Sequence, residues 1–179
     1  MTKPDSLLLQ YLELFTEKTI SGPILDLACG DGHNGIFLAT QNLSVVCCDK
    51  SPDALGLVKR QADSLGLTIG IQCMDLEAKA QNPLEADFYD GILVFRYLHR
   101  PLIPCIKKAI REGGILIYET YTVHQRKYGK PHNPAFLLET GELREWFSDW
   151  EVLHYFDGVK ENPTRAIAQI VCKKPVGDI

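Results

Sequence analysis

Asp26, Asp49 and Asp75 are the residues from which a chemical reading of this sequence starts, each lying in or just after a short apolar run. Asp26 belongs to Pro23-Ile24-Leu25-Asp26-Leu27-Ala28, which turns into Cys29-Gly30-Asp31-Gly32-His33-Asn34-Gly35. Gly30, Gly32 and Gly35 satisfy G-x-G-x-x-G, a spacing that lets backbone approach a ligand with no Cβ in the way. By spacing alone this loop can cradle a dinucleotide such as NAD. Asp26 argues against that ligand. A pyrophosphate at the helix N-terminus is repelled by a carboxylate buried in the preceding strand. The acid suits a ligand that carries a cation there, and Asp31 can face the same cation or solvent. Asp49 closes the second apolar run, where a carboxylate can accept both hydroxyls of a ribose. Three acids at the ends of three successive runs fit a ligand bound along one edge of a parallel sheet.

The segment Asp26-Leu27-Ala28-Cys29-Gly30-Asp31-Gly32 resembles the first motif of class I S-adenosylmethionine-dependent methyltransferases, D-x-[AG]-C-G-x-G. The resemblance extends over roughly residues 22–120. It implies that Asp26 and the loop of Ala28, Cys29, Gly30 and Gly32 handle the methionine portion of S-adenosylmethionine. Asp49, with Lys50 beside it, is then the ribose acid, and Asp75 accepts the adenine amino group. Met74 and Leu76 offer apolar faces to the purine, and Phe95 completes the cofactor-binding set. Cys29 is read as a small packing residue rather than a nucleophile. A narrower likeness rests on Phe95-Arg96-Tyr97-Leu98-His99-Arg100-Pro101-Leu102, Tyr118-Glu119-Thr120 and Asn133-Pro134-Ala135-Phe136-Leu137-Leu138. These fragments resemble small bacterial methyltransferases akin to the tellurite-resistance group. They imply a small or soft acceptor: a thiol, a chalcogen oxyanion or a metabolite oxygen.

The residues after the fourth apolar run, with Glu119, are the acceptor-side candidates. Arg96 can hold an oxyanion or pair with an acid. Tyr97 can close over a sulfonium or pack beneath the next helix. His99 is a candidate general base or a helix-start residue. The D-P-P-Y sequence of base N-methyltransferases is replaced here by Phe95-Arg96-Tyr97-Leu98, which argues against amino-group methylation of bases. Holding acceptor and methyl in line supplies most of the rate from an activated sulfonium, so a soft nucleophile needs no base, while an alcohol or amine can call for one. The polar, basic and aromatic loop 121–133 is expected to act as an acceptor lid, with Tyr121, His124 and Tyr128 its first candidates. No His or Cys spacing suggests a metal.

These residues need a scaffold. Apolar runs at 23–28, 44–49, 68–73, 89–95 and 114–120 predict five strands. A helix begins at Asp5 or Ser6, and others are expected over 34–40, 52–65, 101–111 and 141–147, the second capped by Ser51 with Pro52 at its first position. A polar loop holding Asp75, Glu77 and Asp87 joins the third and fourth strands. Strands at 150–156 and 166–172, joined through the 158–163 turn region, predict a closing hairpin. The expected fold is α/β: a doubly wound, mostly parallel Rossmann-like sheet ending in an antiparallel hairpin. A chain of 179 residues suits a single domain over 1–179.

Net charge is −4 and pI about 5.7, which argues against a nucleic-acid partner. The six cysteines form no C-x-x-C pair and mostly sit in apolar runs, as thiols of a reducing compartment do. Without a signal-like start or a membrane-length apolar stretch, a cytoplasmic protein with no membrane partner is expected. A methyltransferase for RNA or protein and a non-catalytic S-adenosylmethionine-binding module stay open as alternatives. The sequence leaves oligomeric state open.

Overall fold

A computed structural model describes residues 3–16, 22–78 and 83–177. Part of the predicted polar loop, 79–82, lies outside the described residues. Four short strands form first: β1 (Ile24–Leu27), β2 (Val45–Asp49), β3 (Gly70–Cys73) and β4 (Tyr89–Phe95). Three longer ones follow: β5 (Ile110–Tyr121), β6 (Glu151–Lys160) and β7 (Arg165–Lys173). Together they make one seven-stranded sheet in the order β3-β2-β1-β4-β5-β7-β6. β1 to β5 pair in parallel, and β7 then runs antiparallel to both β5 and β6. The expected doubly wound sheet with a closing hairpin is therefore the fold observed. Strand order reverses beside β1, the place where such sheets bind ligands at their carboxyl ends.

The helices are α1 (Ser6–Gln10), α2 (Glu13–Thr16), α3 (His33–Thr40), α4 (Pro52–Ser64), α5 (Ile103–Ala109) and α6 (Glu142–Trp146). Two separate cores show that both faces of the sheet are covered. One packs Leu7, Leu8, Phe15, Ile36, Leu55 and Val58 of α1 to α4 against Ile24 and Leu93. The other packs Ile103 and Ile106 of α5 and Leu143 of α6 against Leu25, Leu27 and Ile92. Along β1 the side chains alternate between faces, so Asp26 falls on the α3 side with Ile24.

Several boundaries differ from the sequence reading. The first helix divides at Tyr11, whose ring packs 5.5 Å from His154 of β6. The helix expected over 101–111 is a 3-10 turn, Arg100–Leu102, followed by α5, which stops at Ala109. Ile110, β-branched and with φ −75° and ψ 132°, already pairs with Tyr89 in β5. Gly158 lies inside β6 instead of opening the hairpin turn, because β6 runs on to Lys160. Ser51 caps α4 as expected, its Oγ accepting from Ala54 N at 3.2 Å. Asp5 does not cap α1 with its side chain; that carboxylate goes elsewhere.

Candidate active site

The turn after β1 is built from left-handed backbone. Ala28, Gly30 and Gly32 have φ of 54°, 55° and 69°. Gly30 and Gly32 take up that φ without steric cost, whereas Ala28 is a non-glycine residue held there by the turn. A Cβ on Gly30 would meet nothing within 4 Å, whereas one on Gly32 would lie 2.5 Å from Val58 Cγ2. Gly30 is thus open toward a ligand, and Gly32 is the close contact between the loop and α4. Gly35 serves a third purpose. Its Cβ would stand 2.5 Å from Cys47 Sγ and 3.1 Å from Asp26 Oδ2, so only glycine lets α3 lie directly on the sheet.

Asp26 is buried beneath α3, and its Oδ2 accepts from Gly35 N at 2.9 Å. Burial raises its pKa to about 7, opposed by that bond. A carboxylate so placed ionises more readily when a cation sits beside it. Asp49 ends β2 and ties the turn together: Oδ2 accepts from Gly30 N and Oδ1 from Ser51 N, both at 2.9 Å. Each oxygen retains a lone pair for a further donor.

Two adjoining cavities open along this edge. The larger, about 600 Å³, is lined by Ala28, Asp49, Lys50, Met74, Asp75 and Leu76, continuing to Arg96, Tyr97 and Leu98. The smaller, about 280 Å³, is lined by Asp26, Ala28, Cys29, Gly30 and Phe95 together with Asp31, His33, Asn34 and Arg96. Ala28 and Arg96 stand in the wall common to both. The sequence-derived cofactor residues are thus brought together, apart from Gly32, which packs on Val58. Cys29 is a buried thiol in the core cluster, as read from the sequence.

The acceptor-side candidates divide. Arg96 and Tyr97 line the larger cavity, and burial raises the Tyr97 hydroxyl well above the ordinary tyrosine range. The structure places His99 and Glu119 differently. His99 starts the 3-10 turn, its carbonyl accepting from Leu102 N at 3.0 Å, and does not figure in either cavity's lining among the described residues. Glu119 is buried between strands, where it accepts from Gln169 Nε2 and lies 3.6 Å from Arg165 Nη2. Strand alternation puts it on the face opposite Tyr118, where Gln169 of β7 meets it, a partner its sequence neighbours could not reveal.

Sequence reasoning put the loop 121–133 at the acceptor end but as a lid; Tyr121 does line the larger cavity, whereas His124 and Tyr128 do not figure in its lining among the described residues. The loop expected as a lid is already folded against β7 and supplies Tyr121, Lys130 and Pro131 to the larger cavity, joined there by Phe136. Buried Gln125 holds it, accepting from Ala166 N at 2.8 Å and donating to Lys130 O at 3.1 Å. Arg100 fixes the next segment, donating to Leu137 O at 2.9 Å while forked onto Glu142. The smaller cavity adds His33 and Asn34, which stood inside the glycine motif and were passed over. His33 is raised to about 9, chiefly by its bond to Asp5 and secondarily by Asp31, against the opposing effect of burial. Among the described residues no group of three or more metal-ligating side chains is assembled, and no helix is long and apolar enough to cross a membrane.

The family described as Tellurite resistance protein TehB matches residues 14–166. The chain belongs to that family. Over 143 residues it is 28% identical to the probable S-adenosyl-L-methionine-dependent methyltransferase TehB of Haemophilus influenzae, covering 77% of this chain and 49% of that protein. Over 140 residues it is 32% identical to Hemagglutinin 1 of Eikenella corrodens, covering 75% of this chain and 46% of that one. The chain therefore spans about half the length of these curated relatives. The crystal structure of TehB from Haemophilus influenzae superimposes with a TM-score of 0.73 at 22% identity, over 94% of this chain and 61% of that one. Membership of the TehB family bears out the resemblance read from the motif after β1.

Proposed function

We propose that this TehB-family chain binds S-adenosylmethionine and transfers its methyl group to a small-molecule acceptor. The observation that carries the reading is the pair of joined cavities along the carboxyl ends of β1, β2 and β3, with Asp26, Asp49 and Asp75 in their walls. The donor set suits the cofactor. Asp26, buried and held near neutral pKa, gains from the cofactor's ammonium, and the open side of Gly30 leaves room for the amino-acid chain. Asp49 keeps acceptor capacity for ribose hydroxyls. Met74, Leu76 and Leu98 give the purine apolar contacts, and Asp75 stands beside them. When bound, the sulfonium supplies an activated methyl group.

The chain's own residues then shape the acceptor end. Tyr97, Tyr121, Pro131 and Phe136 offer an apolar wall to the acceptor, and Lys130 adds a cation at its edge. That mixture supports a small acceptor with an apolar body, and a soft nucleophile such as a thiol needs orientation more than a base. Three basic residues in 121–133, Arg126, Lys127 and Lys130, make RNA the reading to test beside it. Buried thiols at Cys47, Cys48 and Cys172 support work in the reducing cytoplasm, and one continuous sheet supports a single domain. Calorimetry with S-adenosylmethionine, S-adenosylhomocysteine and NAD tests the cofactor. Turnover with thiols, tellurite, phenols and tRNA tests the acceptor. Binding of NAD in preference, or turnover confined to tRNA, defeats the corresponding half of the proposal.

A further inference from the structure

Asp5, before the first helix, reaches across the fold to the smaller cavity. Its carboxylate accepts from Arg96 Nη1 at 2.6 Å and Nη2 at 2.9 Å, and from Asn34 Nδ2 at 2.9 Å. Its Oδ2 also lies 3.0 Å from His33 Nε2, and its backbone N donates to Asn34 Oδ1 at 2.9 Å. The N-terminal segment is thereby stitched to the start of α3 and to the end of β4. His33 Nδ1 completes the chain, 2.5 Å from Asp31 Oδ1.

Around the cavity, negative charge comes from Asp26 and Asp31 and positive charge from Arg96 and His33. A small chamber walled by both signs suits a zwitterion, a group bearing an ammonium and a carboxylate together. Both ring nitrogens of His33 already face carboxylates, so it has no donor left for a ligand. Arg96 differs. A guanidinium has five N–H donors, and Asp5 takes two. Arg96 also stands in the wall common to both cavities, on backbone of φ 56° that a non-glycine residue adopts only when its surroundings impose it. Arg96 N donates to Glu119 O at 2.8 Å, so the residue is held at both its backbone and its guanidinium. The Arg96–His33 approach, 3.5 Å between Nη2 and Nε2, brings two cations together and is tolerable because Asp5 lies against both.

We propose that Arg96 binds the carboxylate of the cofactor's amino-acid end and that Asp5 is the positioning residue that aims its guanidinium. This rests on the S-adenosylmethionine reading and moves Arg96 from the acceptor side, where the sequence had put it, to the cofactor side. The fork of Arg96 matches a carboxylate, and Asp5 holds one edge of that fork while leaving the other edge for the ligand. Because Asp5 works through Arg96, its loss should be felt only by ligands that have the carboxylate.

The test compares S-adenosylhomocysteine with 5′-methylthioadenosine, which has the nucleoside and thioether but no amino-acid group. Affinities are measured by calorimetry on the parent, Arg96→Gln, Arg96→Lys and Asp5→Asn, each checked for cooperative unfolding. Arg96→Gln should weaken S-adenosylhomocysteine by about tenfold or more and leave 5′-methylthioadenosine within about twofold. Arg96→Lys should fall between, and Asp5→Asn should lower the ratio of the two affinities by a smaller factor. A purely structural role would shift both ligands together. Equal losses, or no loss for S-adenosylhomocysteine in Arg96→Gln, overturn this inference and leave the cofactor reading standing. A parent protein that binds neither S-adenosylmethionine nor S-adenosylhomocysteine overturns the cofactor reading, and this inference with it.

Discussion

Asp26→Asn isolates the charge of the most deeply buried acid in the site. Burial beneath α3 raises its pKa from 3.8 to about 7, and the bond from Gly35 N offsets part of that effect. In the unfolded chain the same carboxyl ionises near the lower value. Between the two, the unfolded state has released a proton that the folded state still holds. The group's contribution to stability is therefore intact below the unfolded value and is lost as pH rises toward about 7. At about 1.4 kcal/mol per pH unit, the gap costs the free protein up to about 4 kcal/mol above neutrality. Asparagine keeps an oxygen for Gly35 N and carries no charge to desolvate. Free Asp26→Asn should thus be more stable than the parent at pH 8, with the difference narrowing toward pH 4. Affinity should move the other way, because the acid proposed to face the ligand's ammonium is gone: S-adenosylhomocysteine should bind about tenfold or more weakly at pH 8. Urea unfolding at both pH values and calorimetry at pH 8 read the two effects. Stability profiles that run parallel from pH 4 to 8, or an unchanged affinity, would refute the reasoning.

Asp49→Ala should weaken S-adenosylmethionine binding by about 1.5–3 kcal/mol, since it removes the proposed ribose acceptor together with the anchor of Gly30 N, and calorimetry on a folded variant decides it. Gly32→Ala should cost about 1–3 kcal/mol through its left-handed φ and the 2.5 Å approach to Val58; adding Val58→Ala should recover part of the clash but none of the φ strain, as read by urea unfolding. Gln125→Leu leaves Ala166 N and Lys130 O without their partner, so it should speed hydrogen exchange across 121–133. In the free parent the Tyr128 and Gly129 amides, bonded to Gln125 O, should already exchange slowly, and fast exchange there would return that loop to the role of a mobile lid.

What the sequence determined by itself is local or periodic. Alternating apolar runs and helices specified the parallel sheet, and the two final runs without an intervening helix specified its hairpin. The turn after β1 was legible because left-handed backbone, close packing on Val58 and contact with Asp26 each leave a glycine or alanine at a fixed spacing. Acids at strand ends announced themselves because a charge beside an apolar run needs a reason. The end of α5 was decided elsewhere: Ile110 leaves the helix because Tyr89 offers it a strand partner, a contact no local pattern contains. Glu119 resembles a site residue in sequence, but the pairing of β5 with β7 sets Gln169 against it on the same face of the sheet. Asp5, Arg96 and His33 meet across separations of 28 and 91 residues, and Lys130 reaches the cavity only because Gln125 folds its loop back. A side chain's role in such places is set by which distant charge or carbonyl the packed sheet brings within hydrogen-bond range. That is a property of the tertiary fold, and no spacing along the chain encodes it.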